Sequence, residues 1–440
     1  MSDSTTGHHD NLDEADNGNS SESSKRPPIP GGILRLLYAM SANAMANVLL
    51  TVAIELQVYE ITDSEWWLGL IGLAQFAPML VLSLFTGTLA DRFDRRWVFA
   101  AGVLIDIAAT IGFLLYALTD PTSATPMLFL VALKGSGRAV SMPASRALPI
   151  DLAPEGLLER IVGLRSLTFQ IALVIGPLIG AFANRASTVL PYVIALVVFM
   201  VALGLLARVP EPEIEKLHSA PGPRQALTDA VNGLRFIRRS PIIFGAITLD
   251  LFAVLFGGAV ALLPAIVEKR LDVEDVDLGV GILRAAIAAG AALTAAALAT
   301  RPIMRHNGPW LFGVIAIFGV GTIVLGITRS FTVALISVAL ISAADQISVY
   351  VRSSVVPLAT PENMRGRVLA VENIFIGGSN QLGAFESGVT AAWFGLAPAI
   401  VIGGIGTLVV VGVSWFLFPD LRRVDRFADV KPQQFEETAS

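Results

Sequence analysis

GTLADRFDRR, Gly87 to Arg96, sets five charged residues between two apolar stretches, about 66–90 and 97–118, each long enough to cross a bilayer. Charge this dense is costly to hold inside hydrocarbon, so the segment reads as a tight loop at a membrane surface with a span on each side. Composition agrees. Hydrophobic residues make up 54% of the 440 and charged residues 15%, against about 25% charged in soluble domains. Mean hydropathy is +0.67. The net charge of −5 decides little, because the placement of charge matters more than its sum.

Apolar runs recur along the chain and predict twelve spans. The first six are about 35–60, 66–90, 97–118, 126–149, 164–184 and 189–207. The second six are about 242–266, 278–299, 310–328, 331–351, 368–391 and 396–418. Residues 1–32 are polar and acidic, without an apolar signal core, and are expected to be a disordered cytoplasmic tail. Residues 208–240 are expected to be a cytoplasmic linker between a first bundle (33–207) and a second (241–418). The linker opens on PEPEIE and continues as a basic stretch with Leu227, Val231 and Leu234 at helical spacing, suited to the membrane surface. Residues 419–440 form a second cytoplasmic tail.

Basic residues orient the chain. Arg185, Lys269, Arg270 and Arg329 fall on one side, while Lys134, Arg138 and Arg284 sit within spans. The other Lys and Arg gather in the tails, the loops of the opposite side and the span ends beside them, which predicts both termini in the cytoplasm. The two halves also repeat at an offset of about 207 residues. Arg146, Pro154, Arg160 and Gly176 recur as Arg352, Pro361, Arg367 and Gly383, and the same offset aligns Asn43 with Asp250 and Arg138 with Asp345.

The loop pattern Gly87, Asp91, Arg92, Arg95, Arg96 resembles the loop between the second and third helices of the major facilitator superfamily, with Asp94 where a glycine is usual. That resemblance implies an all-α membrane fold of twelve helices in two pseudo-symmetric six-helix bundles. It also implies a gating role for the loop, Asp91 facing the positive end of another helix; a simple topology anchor is the alternative. Ala172, Gly176, Pro177, Gly180 and Ala181 on the fifth span resemble the superfamily's antiporter motif, with alanine for its first and last glycines. Small residues permit close packing, and the Ala-rich eighth span is the expected partner. The stretch from Asp345 through TPENMRGRV to GGSNQLGAFESG resembles a bacterial branch that includes enterobactin, macrolide and multidrug efflux proteins.

Charges inside spans are candidate functional groups, because each costs at least about 2.5–3.5 kcal/mol at a helix centre. Asp106, Asp250, Asp345, Glu372 and Glu386 qualify, as do Lys134 and Arg138, four apart on one face of the fourth span. The resemblance implies that the first, fourth, seventh and tenth helices line a central cavity. Asp250 and Asp345 are then expected to face Lys134 and Arg138 across it, basic in one half and acidic in the other. Asp250 and Asp345, with Glu386 third, are the candidate proton sites; a fixed Arg138–Asp345 pair is the structural alternative. Asn43, Asn47, Lys134 and Arg138 are the candidate solute contacts, although Asn43, Asn47 and Gln57 equally suit bonds to neighbouring helices. Asp106 is expected to be a packing partner, and Glu372, near the cytoplasmic end of its span, to snorkel or to pair with Arg365 or Arg367.

The sequence lacks cysteine, and its four histidines fall outside every span. It has no nucleotide-binding Gly-Lys-Ser/Thr loop and no hydrolase pattern. The reading is therefore not an enzyme, with no cofactor or metal and no nucleotide or nucleic-acid partner. It is a monomeric exporter in the bacterial inner membrane, exchanging protons for a siderophore-like or amphipathic organic solute. Proton-coupled uptake, a uniporter, or a non-transporting receptor or scaffold on the same fold are the rivals.

Overall fold

The computed structural model describes residues 29–154, 156–211 and 223–432, with the side chains at 83–85, 87–92, 223, 224 and 226 also outside that description. The expected tail at 1–32 therefore lies mostly outside the described residues, as do 212–222 of the linker and 433–440.

A chain solvated by hydrocarbon must satisfy its backbone internally, and these apolar runs do so as helices. The first six are α1 (Gly31–Thr62), α2 (Glu65–Arg92), α3 (Arg95–Ala117), α4 (Thr125–Asp151), α5 (Leu158–Ala186) and α6 (Leu190–Leu206). The linker helix α7 (Pro223–Arg239) follows. A broken rod then runs through α8 (Pro241–Phe256), a 3-10 turn at Gly258–Leu262, and α9 (Leu263–Arg270). The chain continues with α10 (Val276–Thr300), α11 (Asn307–Ile327), α12 (Phe331–Ala359), α13 (Glu362–Phe394) and α14 (Leu396–Leu417), and a single turn α15 (Pro419–Arg422) closes it. Each half thus makes six crossings, so the first rod begins and the last rod ends on the same face, called here the terminal side.

Among the described residues nine segments are long and apolar enough to cross a membrane, and α6 is apolar but shorter. The least apolar of the long rods are α4 and α13, which carry buried Lys134 and buried Glu372 respectively. Two seams join the halves, α2 against α13 and α5 against α10. Both depend on small residues. A Cβ on Gly388 would lie 2.6 Å from the Gly69 Cα, and one on Gly281 would lie 2.4 Å from the Ala181 Cβ.

The break in the seventh rod is a departure from the single span expected over 242–266. Gly257 and Gly258 end α8, and a Cβ on Gly258 would sit 2.2 Å from the Gly383 carbonyl oxygen of α13. Backbone there approaches backbone because neither residue carries a side chain, and the freed carbonyls border a cavity rather than lipid. Gly258→Ala is accordingly expected to lower stability by about 1–3 kcal/mol, read as an earlier thermal transition of the purified protein. An unchanged transition with unchanged transport would refute that packing argument.

The linker helix docks through Phe236 and Ile237, buried against α8, α12 and α13 residues, and through an Arg367–Asp229 ion pair of 2.8 Å. Its stripe of Leu227, Val231 and Leu234 stays exposed, the face suited to contact lipid.

Candidate functional site

A stripe of polar residues four apart runs up α1: Asn43, Asn47, Thr51 and Glu55. In an apolar helix that spacing keeps them on one slowly drifting face. The stripe organises the first half. Asn47 donates to Asp106 Oδ2 (3.1 Å), Thr51 donates to the Asn47 carbonyl (2.8 Å), and Lys134 Nζ donates to Thr51 Oγ1 (3.1 Å). Lys134 is 3% exposed and is held in this network, not in the wall of the central cavity where it was expected. Gln57 faces away and accepts from the buried Tyr192 hydroxyl on α6. Asn43 Oδ1 and Asp106 Oδ1 are buried without a hydrogen-bond partner.

In the second half Asp345, Ser348 and Arg352 fall at i, i+3 and i+7 on one face of α12, turned toward α8. Arg352 forms an ion pair with Asp250, with Glu372 Oε1 3.6 Å from its Nε, and the Ser348 hydroxyl lies 3.4 Å from Asp250 Oδ1. Two expectations change here. The fixed pair is Arg352–Asp250 and not Arg138–Asp345, and Glu372 pairs with Arg352 in place of Arg365 or Arg367. The reason is burial: Arg352, 3% exposed, needs carboxylates within reach, whereas Arg138 extends into open space.

Between the halves lies a cavity of about 400 Å³. Arg138 projects into it from α4, Asp250 from α8, and Asp345 and Arg352 from α12, with Asn380 and Gln381 from α13 and the broken Gly257–Gly258 backbone completing the wall. Glu55 and Arg284, an ion pair across the two halves, close it on the far side. The wall is therefore not simply basic on one half and acidic on the other. Glu55 brings an acid to the first, and Arg284 and Arg352 bring cations to the second. Glu386 is absent from this wall; its Oε1 accepts from Thr390 (2.9 Å) one turn along α13.

Further contacts fasten the far side. Lys269 lies 3.0 Å from Asp63 and 3.1 Å from Glu65, Arg185 pairs with Asp275 (2.9 Å), and Asn184 donates to Asp277 (3.1 Å). The Lys269 ammonium, bonded to Asp63, holds that carboxyl below the usual carboxylate range. On the terminal side Arg146 reaches Asn373 at 2.7 Å.

Of the expected gating loop, the side chains of Gly87, Asp91 and Arg92 lie outside the described residues. Arg95 pairs with Asp151 (2.6 Å), and Arg96 pairs with Asp94 (2.6 Å) and donates to the Val209 carbonyl (2.9 Å). Asp94 also caps α3 by accepting from the Arg96 backbone N–H (2.9 Å), a physical use for an acid where glycine is usual. In the fifth span, Gly176 and Gly180 pack on Met45 and Leu49 of α1, while the Pro177 carbonyl and Ala181 meet Gly281 of α10.

Residues 23–439 match the model of the transmembrane secretion effector family. The chain belongs to that family, a branch of the major facilitator transporters, which are not enzymes. A Na(+), Li(+), K(+)/H(+) antiporter of Planococcus maritimus is 27% identical over 385 residues, covering 80% of this chain and 88% of its own. An enterobactin exporter of Shigella boydii is 25% identical over 391 residues, 88% and 90% of the two chains. Among solved structures, a peptide transporter superposes with a TM-score of 0.72 at 13% identity, over 90% of this chain and 96% of that one. A bacterial homologue of the human lysosomal transporter Spinster gives 0.67 at 17% identity, over 89% and 96%. The protein is a multi-pass membrane transporter of the major facilitator fold.

Proposed function

We propose that this transporter exports a small organic solute, siderophore-like or amphipathic, across the bacterial inner membrane by alternating access in exchange for protons. Both termini lie in the cytoplasm, and 33–207 and 241–418 are the moving bodies on either side of the 208–240 linker. The observation that carries the reading is the shared cavity, with Arg138 on one wall and Asp250, Asp345 and Arg352 on the other. A proton on Asp250 frees Arg352 to turn to Glu372, so protonation and solute binding bear on the same ions. Only a difference in affinity between the inward and outward states can then bias the equilibrium. The relation to an enterobactin exporter supports a siderophore-like solute, and the Ala172–Ala181 segment packed between α1 and α10 supports antiport.

Purified protein in proteoliposomes tests the direction, because antiport and symport respond to an imposed pH gradient with opposite sign. One pH unit drives at most about tenfold accumulation per proton exchanged. A siderophore panel and a dye panel run in parallel, and no response to the gradient from either would sink the coupling. The second reading replaces the organic solute with an alkali cation. It is favoured by the 27% identical antiporter and by Asp345, which has neither ion pair nor hydrogen bond among the described residues. Proton release on adding Na⁺ or K⁺, with no organic solute present, would select it.

A further inference from the structure

The two halves treat equivalent positions differently. In the second half Arg352 is neutralised by Asp250, with Asp345 on the same helix face. At the positions about 207 residues earlier, Arg352 becomes Arg146, Asp250 becomes Asn43, and Asp345 becomes Arg138. The first half thus keeps the cation, loses its acid, and gains a second cation. Arg165 of α5 adds a third.

These three arginines line one cavity of about 400 Å³ enclosed by α1, α4 and α5 on the terminal side, and no carboxylate stands in its wall. The guanidinium groups of Arg138 and Arg165 have neither ion pair nor hydrogen bond among the described residues, their carbonyls alone accepting from Ser141 and Thr168, and that of Arg146 has only the neutral Asn373. Asp106, the one acid behind Arg138, is buried outside that wall and also faces Lys134, so a single carboxylate stands against Lys134 and three arginines. Guanidinium groups cannot shed their charge by deprotonating, so such a cluster stands only with an anion or water among its members. Phe169 and Leu173 give the same cavity an apolar flank, and its volume suits a drug-sized ligand. Arg138 also lines the central cavity, so one side chain borders both spaces.

The geometry points to an entry vestibule in the first half in which Arg138, Arg146 and Arg165 bind an organic anion carrying at least two negative groups beside an apolar body. Arg138 then passes it to the central cavity. The inference rests on the export reading, since the vestibule opens toward the terminal side. It narrows the solute from any amphipathic molecule to a polyanionic one.

Carboxyfluorescein and rhodamine 6G share a xanthene body and differ in the sign of their charge, which makes them the probes of choice. Full-length protein in phosphatidylcholine nanodiscs is titrated with each dye by fluorescence anisotropy, without a gradient. Carboxyfluorescein is expected to bind and rhodamine 6G not to compete. Arg165→Gln should weaken the anion at least tenfold, Arg165→Lys should recover most of the loss, and thermal transitions report that each variant is folded. Affinity within twofold of wild type in both Arg165→Gln and Arg146→Gln, or equally tight rhodamine binding, overturns the proposal. Displacement of carboxyfluorescein by phosphatidylglycerol in the disc, lost in Arg165→Gln, would assign the arginines to a lipid headgroup and also overturn it. The two readings fail separately. Arginine-dependent binding without gradient-driven transport removes the export reading, and transport without arginine-dependent binding removes the vestibule.

Discussion

Replacing Asp250 with asparagine is expected to abolish gradient-driven transport and, at the same time, to destabilise the fold. Arg352 and Asp250 have side chains only 4% and 6% exposed, and they neutralise each other. Removing one member of such a pair strands the other, at a cost of about 3–5 kcal/mol. Glu372, 3.6 Å from Arg352, limits the loss by taking up part of the freed charge. The triple variant Asp250→Asn/Arg352→Gln/Glu372→Gln removes the whole buried cluster and should regain most of the lost thermal stability while remaining inactive in proteoliposomes. That separation of stability from transport is the decisive result. If Asp250→Asn still concentrates solute against a pH gradient at the wild-type rate, the aspartate is only a structural counter-ion.

Much of this architecture was readable from the chain because its physics is local. Span positions follow from apolar runs, and most of the spanning helices start and stop close to the expected bounds; the seventh rod is broken, α5 and α13 begin well before 164 and 368, and α12 runs on past 351 to Ala359. The break at Gly257–Gly258 was missed because mean hydropathy does not register it. The tandem glycine before Pro264 was the available signal, but its use depends on Gly383 approaching from another helix. Cavity charges were readable as residues but not as partners. Asp250, Asp345 and Arg138 do line one space. Pairing is a matter of which helices turn toward each other, so Arg352, just past its expected span, reads from the sequence as the repeat counterpart of Arg146 and not as the partner of Asp250. Glu55 was overlooked within the first span, although continuing the Asn43–Asn47 spacing by fours reaches it through Thr51.

Glu55 and Arg284 make the last and most direct test of alternating access. They come from opposite halves, with side chains 10% and 14% exposed, and they seal the central cavity toward the far side. Lys269 with Asp63 and Glu65 reinforces that closure nearer the surface, where water weakens the attraction. Neutralising either member of the inner pair should therefore raise the population in which the far side is open. Close charge pairs across protein interfaces couple by about 1.5–7 kcal/mol, and the low end of that range already shifts the ratio of states about tenfold. The cysteine-free chain takes spin labels only where they are placed. Labels at Thr122→Cys and Arg329→Cys, on exposed far-side loops of the two halves, would report the separation by pulsed electron resonance. Glu55→Gln and Arg284→Gln should each lengthen the main distance, and the exchanged pair Glu55→Arg/Arg284→Glu should restore it. Restoration matters most, because a general loss of packing would lengthen the distance in all three variants, whereas an ion pair acting as the latch is indifferent to which half carries which sign.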